Sequence, residues 1–372
     1  MLDLAVSNNL AQALQQLRYA KRDRVDAVCI NQNDVAEKNQ QVLRMTDVYN
    51  LAYRVVLWLG PASPSSTDVI TTLKYVGAQL EFLMHNLRVV GAHATEPEWY
   101  LAHSDLRFSD QTWNNILAFL QRSRFWRVWI VQEVQLANRR AIVMCGAAEI
   151  PWSGLRRALC CLWHKHKLPS QEMHDTLAKL VSLTIDQREL PLGSLLIRNV
   201  DRDCTDKRDK VYGLLSLAHI SFARAIVPNY SLSLTDVYKD VSLAYVNHDM
   251  RLEPMRYCEA GTRRIGGCPS WVPDWSSVVD QRFLAGQVSC GVSRAHTKYI
   301  SPDKLRVTGV LCGTVASMGA LAPLKGSDDI ANIIREWEPG SLRTEDYAHG
   351  GTLFDAFATL ICRNNLASRL PD

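Results

Sequence analysis

The chain has 372 residues, a length that allows about two domains, each with its own hydrophobic core. Hydrophobic residues make up 47% of the sequence and charged residues 22%, which is the balance of a folded globular protein and not of a disordered one. The net charge of +4 is small for this length, and acids interrupt the basic runs, so we expect no nucleic-acid partner. The run 202–210 is interpreted as a solvated charged face.

The ten cysteines show no CxxC pair and no regular framework, which favours reduced thiols over a disulfide scaffold. No set of histidines and cysteines has the spacing of a zinc site, so no metal is expected. The first residues lack the basic segment and apolar core of a signal peptide, and no apolar run is long enough for a membrane span. These features predict a cytoplasmic protein.

In chain order, the pattern predicts a helix over 7–19, a strand over 25–30, a long helix and a second strand over 54–59. Asp34 is the predicted N-cap of the long helix, and Glu37 completes a capping box. The apolar residues that recur on its buried face are Val42, Met45, Tyr49 and Ala52. Strand, helix and strand form a βαβ unit, which places polar residues after the first strand at the ligand-binding edge of a parallel sheet.

Further predicted elements are helices at 67–86, 111–122 and 125–137, the last of them mostly buried, and a strand at 141–145. From residue 151 the sequence is mainly helical, with helices predicted at 152–167, 173–188, 192–200, 206–218 and 233–247. Two tryptophans in 268–275 are expected to dock a proline-rich loop, and alternation over 305–315 predicts a late β-hairpin.

Several of these segments together resemble the fungal heterokaryon incompatibility (HET) domain. The first block is Asp26-Ala-Val-Cys-Ile-Asn-Gln with the long helix behind it and Val56-Leu57-Trp58-Leu59-Gly60. The second block is Phe125-Trp126-Arg127-Val128-Trp129 with Gln132-Glu133 and Cys145-Gly146. Segments that often follow the domain are similar to Arg208-Asp209-Lys210-Val211-Tyr212-Gly213, Pro228-Asn229-Tyr230-Ser231 and Ser270-Trp271-Val272-Pro273-Asp274-Trp275. Lys38 stands where family members usually carry arginine.

The resemblance implies an α/β fold distantly related to TIR domains, with a flavodoxin-like doubly wound parallel sheet. Family domains usually begin with a strand carrying a Leu-Ser-Tyr-x-Trp-Gly pattern, and none precedes Leu10. We therefore expect an N-terminally incomplete HET domain at 1–146, whose first strand is missing or replaced by another element. A mainly helical region at 147–280 and a C-terminal region with the hairpin at 281–372 are expected to follow.

The resemblance also implies a role in non-self recognition and programmed cell death, with protein partners or self-association. TIR-like relatives suggest cleavage of NAD at the nicotinamide–ribose bond, which makes NAD a substrate and requires no cofactor. A carboxylate would stabilise the oxocarbenium-like centre, and the candidates are Glu37 and Glu133. The alternatives are a capping role for Glu37 and, for Glu133, a bond to the backbone or to an arginine such as Arg127.

Candidate ligand-binding residues are Asp26, Asn31, Gln32 and Asp34. Asp26 either touches a ligand or satisfies structural hydrogen bonds, and the two amides either bind a ribose or base or complete the turn before the helix. The sequence has no GxSxG, Walker or GxGxxG motif. The rival functional hypotheses are an NAD-cleaving effector, a non-catalytic interaction module and an inactive truncated family member.

Overall fold

The computed structural model describes residues 8–17, 30–31, 33–82, 88–258, 265–276, 294–301, 303–310, 314, 327–340, 345–346 and 350–361. The chain divides into two compact units. The first comprises Met1–Val279 and His296–Arg306, and the second comprises Asp280–Ala295 and Val307–Asp372. The domain boundaries expected after residues 146 and 280 stay predictions. The features described below lie in the first unit, apart from the end of the last strand and the last two helices.

The first unit contains a three-stranded mixed sheet. Strand β1 (Val56–Trp58) pairs in parallel with β4 (Ile142–Cys145), and β5 (Ala148–Pro151) lies antiparallel to β4. The β4–β5 turn contains Gly146 at φ +56°, a left-handed conformation that favours glycine. A Cβ there would also lie 2.7 Å from the Cβ of Ala62.

The doubly wound parallel sheet is not confirmed, because the described part of this sheet has one parallel and one antiparallel pair. β5 was not predicted, since a four-residue strand after a tight turn has little sequence signal. The predicted strand 25–30 lies outside the described residues except for Ile30. The fold shown is therefore mixed α/β with small sheets and many helices, and the βαβ unit stays a prediction.

The two predicted helices before β1 are present. Helix α1 spans Asn8–Leu17 and α2 spans Val35–Leu51, with Met45 and Tyr49 buried as expected. Helix α3 spans Ser66–Ala78, shorter than predicted. It ends because the next residues form β2 (Leu80–Phe82), which pairs antiparallel with β3 (Arg88–Val90). Helical periodicity does not reveal such cross-strand pairing.

The remaining helices of the first unit contribute many of its core side chains. They are α4 (Asp110–Leu120), α5 (Ile130–Leu136), α6 (Trp152–Trp163), α7 (Gln171–Val181), α8 (Leu192–Arg198), α9 (Asp209–Tyr212), α10 (Ile220–Ala223) and α11 (Leu234–Asp249). The 3₁₀ helices are Pro97–Tyr100, Ser123–Trp126, Ser182–Thr184, Leu215–Leu217 and Glu253–Tyr257. The predicted buried helix at 125–137 is thus a 3₁₀ turn followed by α5. The helix predicted over 206–218 breaks at Gly213, which caps α9.

Helices α3 and α6 cross at very short distance near the centre of the core. Gly77 of α3 lies so close to Gly154 of α6 that a Cβ at residue 77 would be 2.3 Å from the Gly154 carbonyl oxygen. The neighbouring side chains are fully buried: Leu73, Val76, Leu155, Ala158 and Leu159. The absence of side chains at the crossing point lets the two backbones approach, and this approach closes the core around the sheet.

The later part of the chain contains a second two-stranded sheet and two helices. Strands β6 (His296–Ile300) and β7 (Lys304–Thr308) are joined by three residues, a connection that only antiparallel strands allow. This hairpin begins earlier than the predicted 305–315. Buried Trp275 and partly buried Trp271 join the core of the first unit, which confirms the expected docking of their loop. In the second unit, α12 spans Ser327–Glu336 and α13 spans Leu353–Ile361.

Candidate functional site

The start of α2 holds three of the candidate residues. Asp34 is the N-cap, and its Oδ1 accepts hydrogen bonds from the backbone N–H groups of Ala36 and Glu37 at 2.9 and 3.1 Å. The Oε1 of Glu37 accepts from the backbone N–H of Asn31 at 3.3 Å. Glu37 therefore reaches back as in a capping box, but to a residue three positions before the N-cap. Asn31 closes the same turn by accepting from the N–H of Asn33 at 3.2 Å.

Glu133 occupies a different environment, in the interior of α5. Only 3% of it is exposed, and the Nη2 of Arg124 donates to both of its carboxylate oxygens at 2.6 Å. The arginine that bonds this acid is thus Arg124 and not Arg127. A buried carboxylate needs such a partner, because removing an unpaired charge from water is very unfavourable.

The structure therefore brings some of the candidates together and separates others. Hydrogen bonds join Asn31, Asp34 and Glu37 at the exposed start of α2, whereas Glu133 forms its own buried ion pair. Asp26 and Gln32 lie outside the described residues. Whether any of these residues acts on a ligand stays a prediction.

A second polar cluster, which the sequence reasoning missed, centres on a buried acid. Asp209, only 9% exposed, accepts a hydrogen bond from the hydroxyl of Tyr230 at 2.5 Å and another from the indole Nε1 of Trp129 at 3.0 Å. The ammonium group of Lys38, on α2, lies 3.6 Å from the centroid of the Tyr230 ring. We call Lys38, Trp129, Asp209 and Tyr230 the Asp209 cluster. It joins α2, the N-cap of α5, α9 and the segment around residue 230.

Two further residues anchor the backbone of Tyr230. The Oδ1 of Asn39, on α2, accepts from the Tyr230 N–H at 2.8 Å. Arg208 donates to the carbonyl oxygens of Tyr230 and Leu232 at 2.5 and 2.8 Å, and also forms a salt bridge with Asp206 at 2.7 Å. The acid that forms a salt bridge with Arg208 at this helix start is therefore Asp206. Asp209 is left for the neutral donors of the cluster.

The charge state of the cluster follows from its burial. Burial raises the pKa of the Asp209 carboxyl above its ordinary value of 3.8, and the hydrogen bonds from Tyr230 and Trp129 oppose that rise. Burial, with Asp209 beside it, also raises the pKa of the Tyr230 phenol, so this hydroxyl stays protonated and donates. Asp209 ionises less readily in the folded chain than in the unfolded chain. The unfolded chain ionises first, at a pKa of about 3.9. The free energy of unfolding therefore falls as pH rises from that value through the raised pKa of the folded chain.

Tyr230→Phe removes a hydrogen bond that favours the ionised form of Asp209, so we expect its destabilising effect to grow with pH. The expected loss in free energy of unfolding is about 1 kcal/mol at pH 4 and about 1.5–3 kcal/mol at pH 7, the difference between a bond to a neutral and to a charged acceptor. Urea denaturation at both pH values measures it. Tyr212→Phe is the control, because the Tyr212 hydroxyl contacts the Asn229 backbone and not a charged group. Equal losses at both pH values in Tyr230→Phe would contradict the assignment.

The basic run 202–210 is not a solvated face, because two of its cations are buried. Arg202 donates to the carbonyl oxygens of Phe125 and Lys179 at 2.5 and 2.9 Å, and burial lowers its pKa to about 10. Lys210 donates to the carbonyl oxygens of Val200 and Arg202, and burial lowers its pKa as well. Composition alone missed this, since backbone carbonyls and not acids are the partners.

Comparison with known proteins gives the same family as the sequence motifs. The family model described as "Heterokaryon incompatibility protein (HET)" matches residues 2–133. The chain is similar to "Heterokaryon incompatibility protein 6, OR allele" of Neurospora crassa, with 26% identity over 400 aligned positions. The alignment covers 86% of this chain and 56% of the relative, so the chain spans little more than half of that protein's length. No solved structure gives a significant match.

Two negative findings apply to the described residues. They contain no group of three or more His, Cys, Asp or Glu side chains placed to hold a metal ion. None of their helices has both the length and the apolar character needed to cross a membrane.

Three observations agree on the family: the domain motifs, the similarity over most of the chain, and the contact of α2 with the downstream segments around 209 and 230. Residues 2–133 therefore match the heterokaryon incompatibility (HET) family model, and most of the chain is similar to a heterokaryon incompatibility protein.

Proposed function

We propose that this protein acts in heterokaryon incompatibility, as a non-self recognition protein that promotes cell death, and that its HET domain works by self-association. The family and the name of the Neurospora relative support the biological class. The observation that carries the mechanism is an apolar surface exposed on α2. Two further observations support self-association: the candidate catalytic acids are engaged in structural hydrogen bonds, and the exposed surface carries charges of both signs.

The two candidate catalytic acids both have structural bonds. Glu37 uses Oε1 to hold the turn before α2, and both oxygens of Glu133 bind Arg124 in the interior. An acid that stabilises an oxocarbenium-like centre must face the substrate. Glu133, at 3% exposure, does not face solvent. This arrangement favours a non-catalytic role over NAD cleavage.

The outward side of α2 exposes apolar side chains in successive turns. Leu43, Val48 and Leu51 are 53%, 46% and 83% exposed, and Tyr53, just beyond the helix, is 76% exposed. Burying each aliphatic side chain completely would contribute about 1.5–3 kcal/mol. A group of such residues on one side of a helix is typical of an interaction surface. We call Leu43, Val48, Leu51 and Tyr53 the α2 surface.

The charges within the α2 surface favour a second copy of the same chain as the partner. Exposed Arg44 and Asp47 lie three residues apart on the helix, between Leu43 and Val48. If two copies of α2 pack antiparallel about a twofold axis, Arg44 of each copy lies opposite Asp47 of the other. Leu43 of each copy then lies opposite Val48. A patch that complements itself in this way is the requirement of a twofold dimer.

Replacing Leu43 and Leu51 with lysine together is expected to abolish self-association. The substitution puts positive charge into the apolar contact, and we expect the dimer dissociation constant to rise at least about 100-fold, which corresponds to about 2.8 kcal/mol. Sedimentation velocity over a range of concentrations measures it. Val227→Lys, at a 67% exposed position outside α2, is the matched control and is expected to leave the dimer intact. Expression in a filamentous fungus should kill cells with the native chain and the control only.

A monomer at all concentrations that still kills cells would contradict the proposal. The same samples, incubated with NAD, test the catalytic alternative, and we expect no loss of NAD. NAD turnover that disappears in a folded Glu37→Gln variant would establish the catalytic alternative and place its site at the start of α2. Asp34→Ala is the stability control, because it removes the N-cap of α2 but keeps Glu37. It is expected to lower the free energy of unfolding by about 1 kcal/mol.

A further inference from the structure

The hydroxyl group of Ser221 lies between two imidazole rings on the surface of the first unit. Its Oγ is 2.8 Å from the Nε2 of His248 and 2.7 Å from the Nδ1 of His219. Ser221 is on the short helix α10, and His248 is in the last turn of α11. Nothing in the proposed self-association uses these residues, and no GxSxG motif marks the serine in the sequence.

Each of the two imidazoles has a carboxylate on its other side, but at different distances. The Nδ1 of His248 is 2.6 Å from the Oδ1 of Asp249, which is a hydrogen bond. The Nε2 of His219 is 3.9 Å from Glu189, which is too long for one. Only His248 therefore has both the serine and an orienting carboxylate at hydrogen-bond distance.

We infer that Ser221, His248 and Asp249 form a serine–histidine–aspartate triad that attacks carboxylic esters. Asp249 accepts the Nδ1–H of His248, which leaves the Nε2 lone pair to take the hydroxyl proton of Ser221. Ser221 is the nucleophile and His248 the general base, while Asp249 is a positioning residue. The Nδ1 of His219 accepts a hydrogen bond from the backbone N–H of Ser221 at 3.4 Å, as the N-cap of α10, so His219 holds the serine backbone in place.

The surroundings hold the His248 ring in place. It packs edge-on against Phe222, with ring centroids 5.5 Å apart and an angle of 85°, and Phe222 is buried against Tyr245. Gly193 leaves room for this tyrosine, because a Cβ there would lie 3.3 Å from its ring. A base whose ring packs against a buried aromatic residue keeps its nitrogen directed at the serine.

Backbone strain also concentrates at this place. Among the described residues, three that are not glycine have a left-handed backbone, and two of them are Glu189 and Met250. Met250, at φ +52°, directly follows Asp249 and ends α11. Such conformations cost about 1–3 kcal/mol each and cluster at functional sites, where the surrounding structure maintains them. These left-handed residues lie at the two carboxylates beside the imidazoles, since one is Glu189 itself and the other directly follows Asp249.

The site is open to solvent, which limits its substrates. Ser221 and His219 are exposed, and the His248 side chain is 34% exposed. An ester with a small acyl group that approaches from solvent fits such a surface. The Oγ of Ser221 attacks the carbonyl carbon while its proton moves to Nε2 of His248. The intermediate then breaks the bond to the alcohol oxygen, which receives that proton, and water hydrolyses the acyl-serine by the same route.

A fluorophosphonate probe tests the assignment on the full chain. Attack by Oγ forms a phosphorus–oxygen bond and releases fluoride, and His248 accepts the proton. Trypsin releases residues 211–224 as one peptide containing Ser216 and Ser221, so fragment masses locate the label. We expect the label on Ser221, none in Ser221→Ala, and a rate about 100-fold lower in His248→Ala. The control Ser301→Ala removes another exposed serine and should label at the native rate.

Asp249→Asn is the test of the positioning role, and we expect a slower labelling rate with an unchanged melting temperature. His219→Ala is expected to slow labelling less than His248→Ala does. The inference is overturned if the folded native chain is not labelled, if the label is on Ser216, or if His248→Ala is labelled at the native rate. These outcomes do not depend on the oligomeric state, so they are distinct from a failure of the self-association proposal.

Discussion

Arg124→Ala is expected to lower the free energy of unfolding by about 3–5 kcal/mol, because it leaves the buried carboxylate of Glu133 without its partner. The Arg124 Nη2 lies 2.6 Å from both oxygens of this acid, which is only 3% exposed. Urea denaturation at pH 7 measures the loss.

The matched control for this substitution is Arg188→Ala. Arg188 also binds an aspartate at 2.6 Å, but the Arg188 and Asp186 side chains are 57% and 58% exposed. Water and salt screen that pair, so its loss is expected to cost no more than about 1 kcal/mol. A second variant that replaces both Arg124 and Glu133 with leucine should lose less than Arg124→Ala, since no charge is left unpaired. Equal losses in the two arginine variants would show that Glu133 reaches solvent or finds another cation.

Gly77→Ala is expected to lower the free energy of unfolding by about 3 kcal/mol, at the upper end for an overpacked core. Alanine favours a helix by about 1 kcal/mol over glycine, so intrinsic propensity alone predicts a gain in stability. The added Cβ would lie 2.3 Å from the Gly154 carbonyl oxygen, however, and backbone cannot move aside as a flexible side chain can. The clash is therefore expected to exceed the gain in propensity.

Thermal and urea unfolding of Gly77→Ala and Gly266→Ala make the comparison. A Cβ added at Gly266 would have none of the described residues within 4 Å, so this substitution should change stability by no more than about 0.5 kcal/mol. If Gly77→Ala proves as stable as the native chain, helices α3 and α6 do not cross as closely as described.

Local signals in the sequence were sufficient for much of the fold. Asp34 and Glu37 have the spacing of a cap, and their hydrogen bonds stay within a few residues of the chain. Met45 and Tyr49 repeat at helical spacing, and both are buried on α2. The strand ending before Gly146 has continuous apolar character and is β4. Each of these features depends on neighbours in sequence, which is where residue patterns are informative.

The errors concern contacts between distant parts of the chain. Trp129 and Asp209 are 80 residues apart, so neither the burial of the acid nor its donors has a local signature. The same holds for Arg202, whose carbonyl partner at Phe125 is 77 residues away. The helix predicted over 67–86 was too long because Leu80 pairs with Val90, and the helical pattern does not reveal this cross-strand contact. The triad assigned to Ser221 also depends on a histidine 27 residues away.

The Asp209 cluster contains residues from inside and from outside the range that the family model matches. Lys38 and Trp129 lie inside the matched range 2–133, whereas Asp209 and Tyr230 lie outside it. The same range contains β1 but lacks β4, its parallel neighbour. A fragment cut at residue 133 would therefore have an unpaired strand and a face of α2 stripped of its contacts. The matched range is therefore smaller than the compact unit that contains it, and fragments meant to behave as the native protein should extend through the buried Trp275.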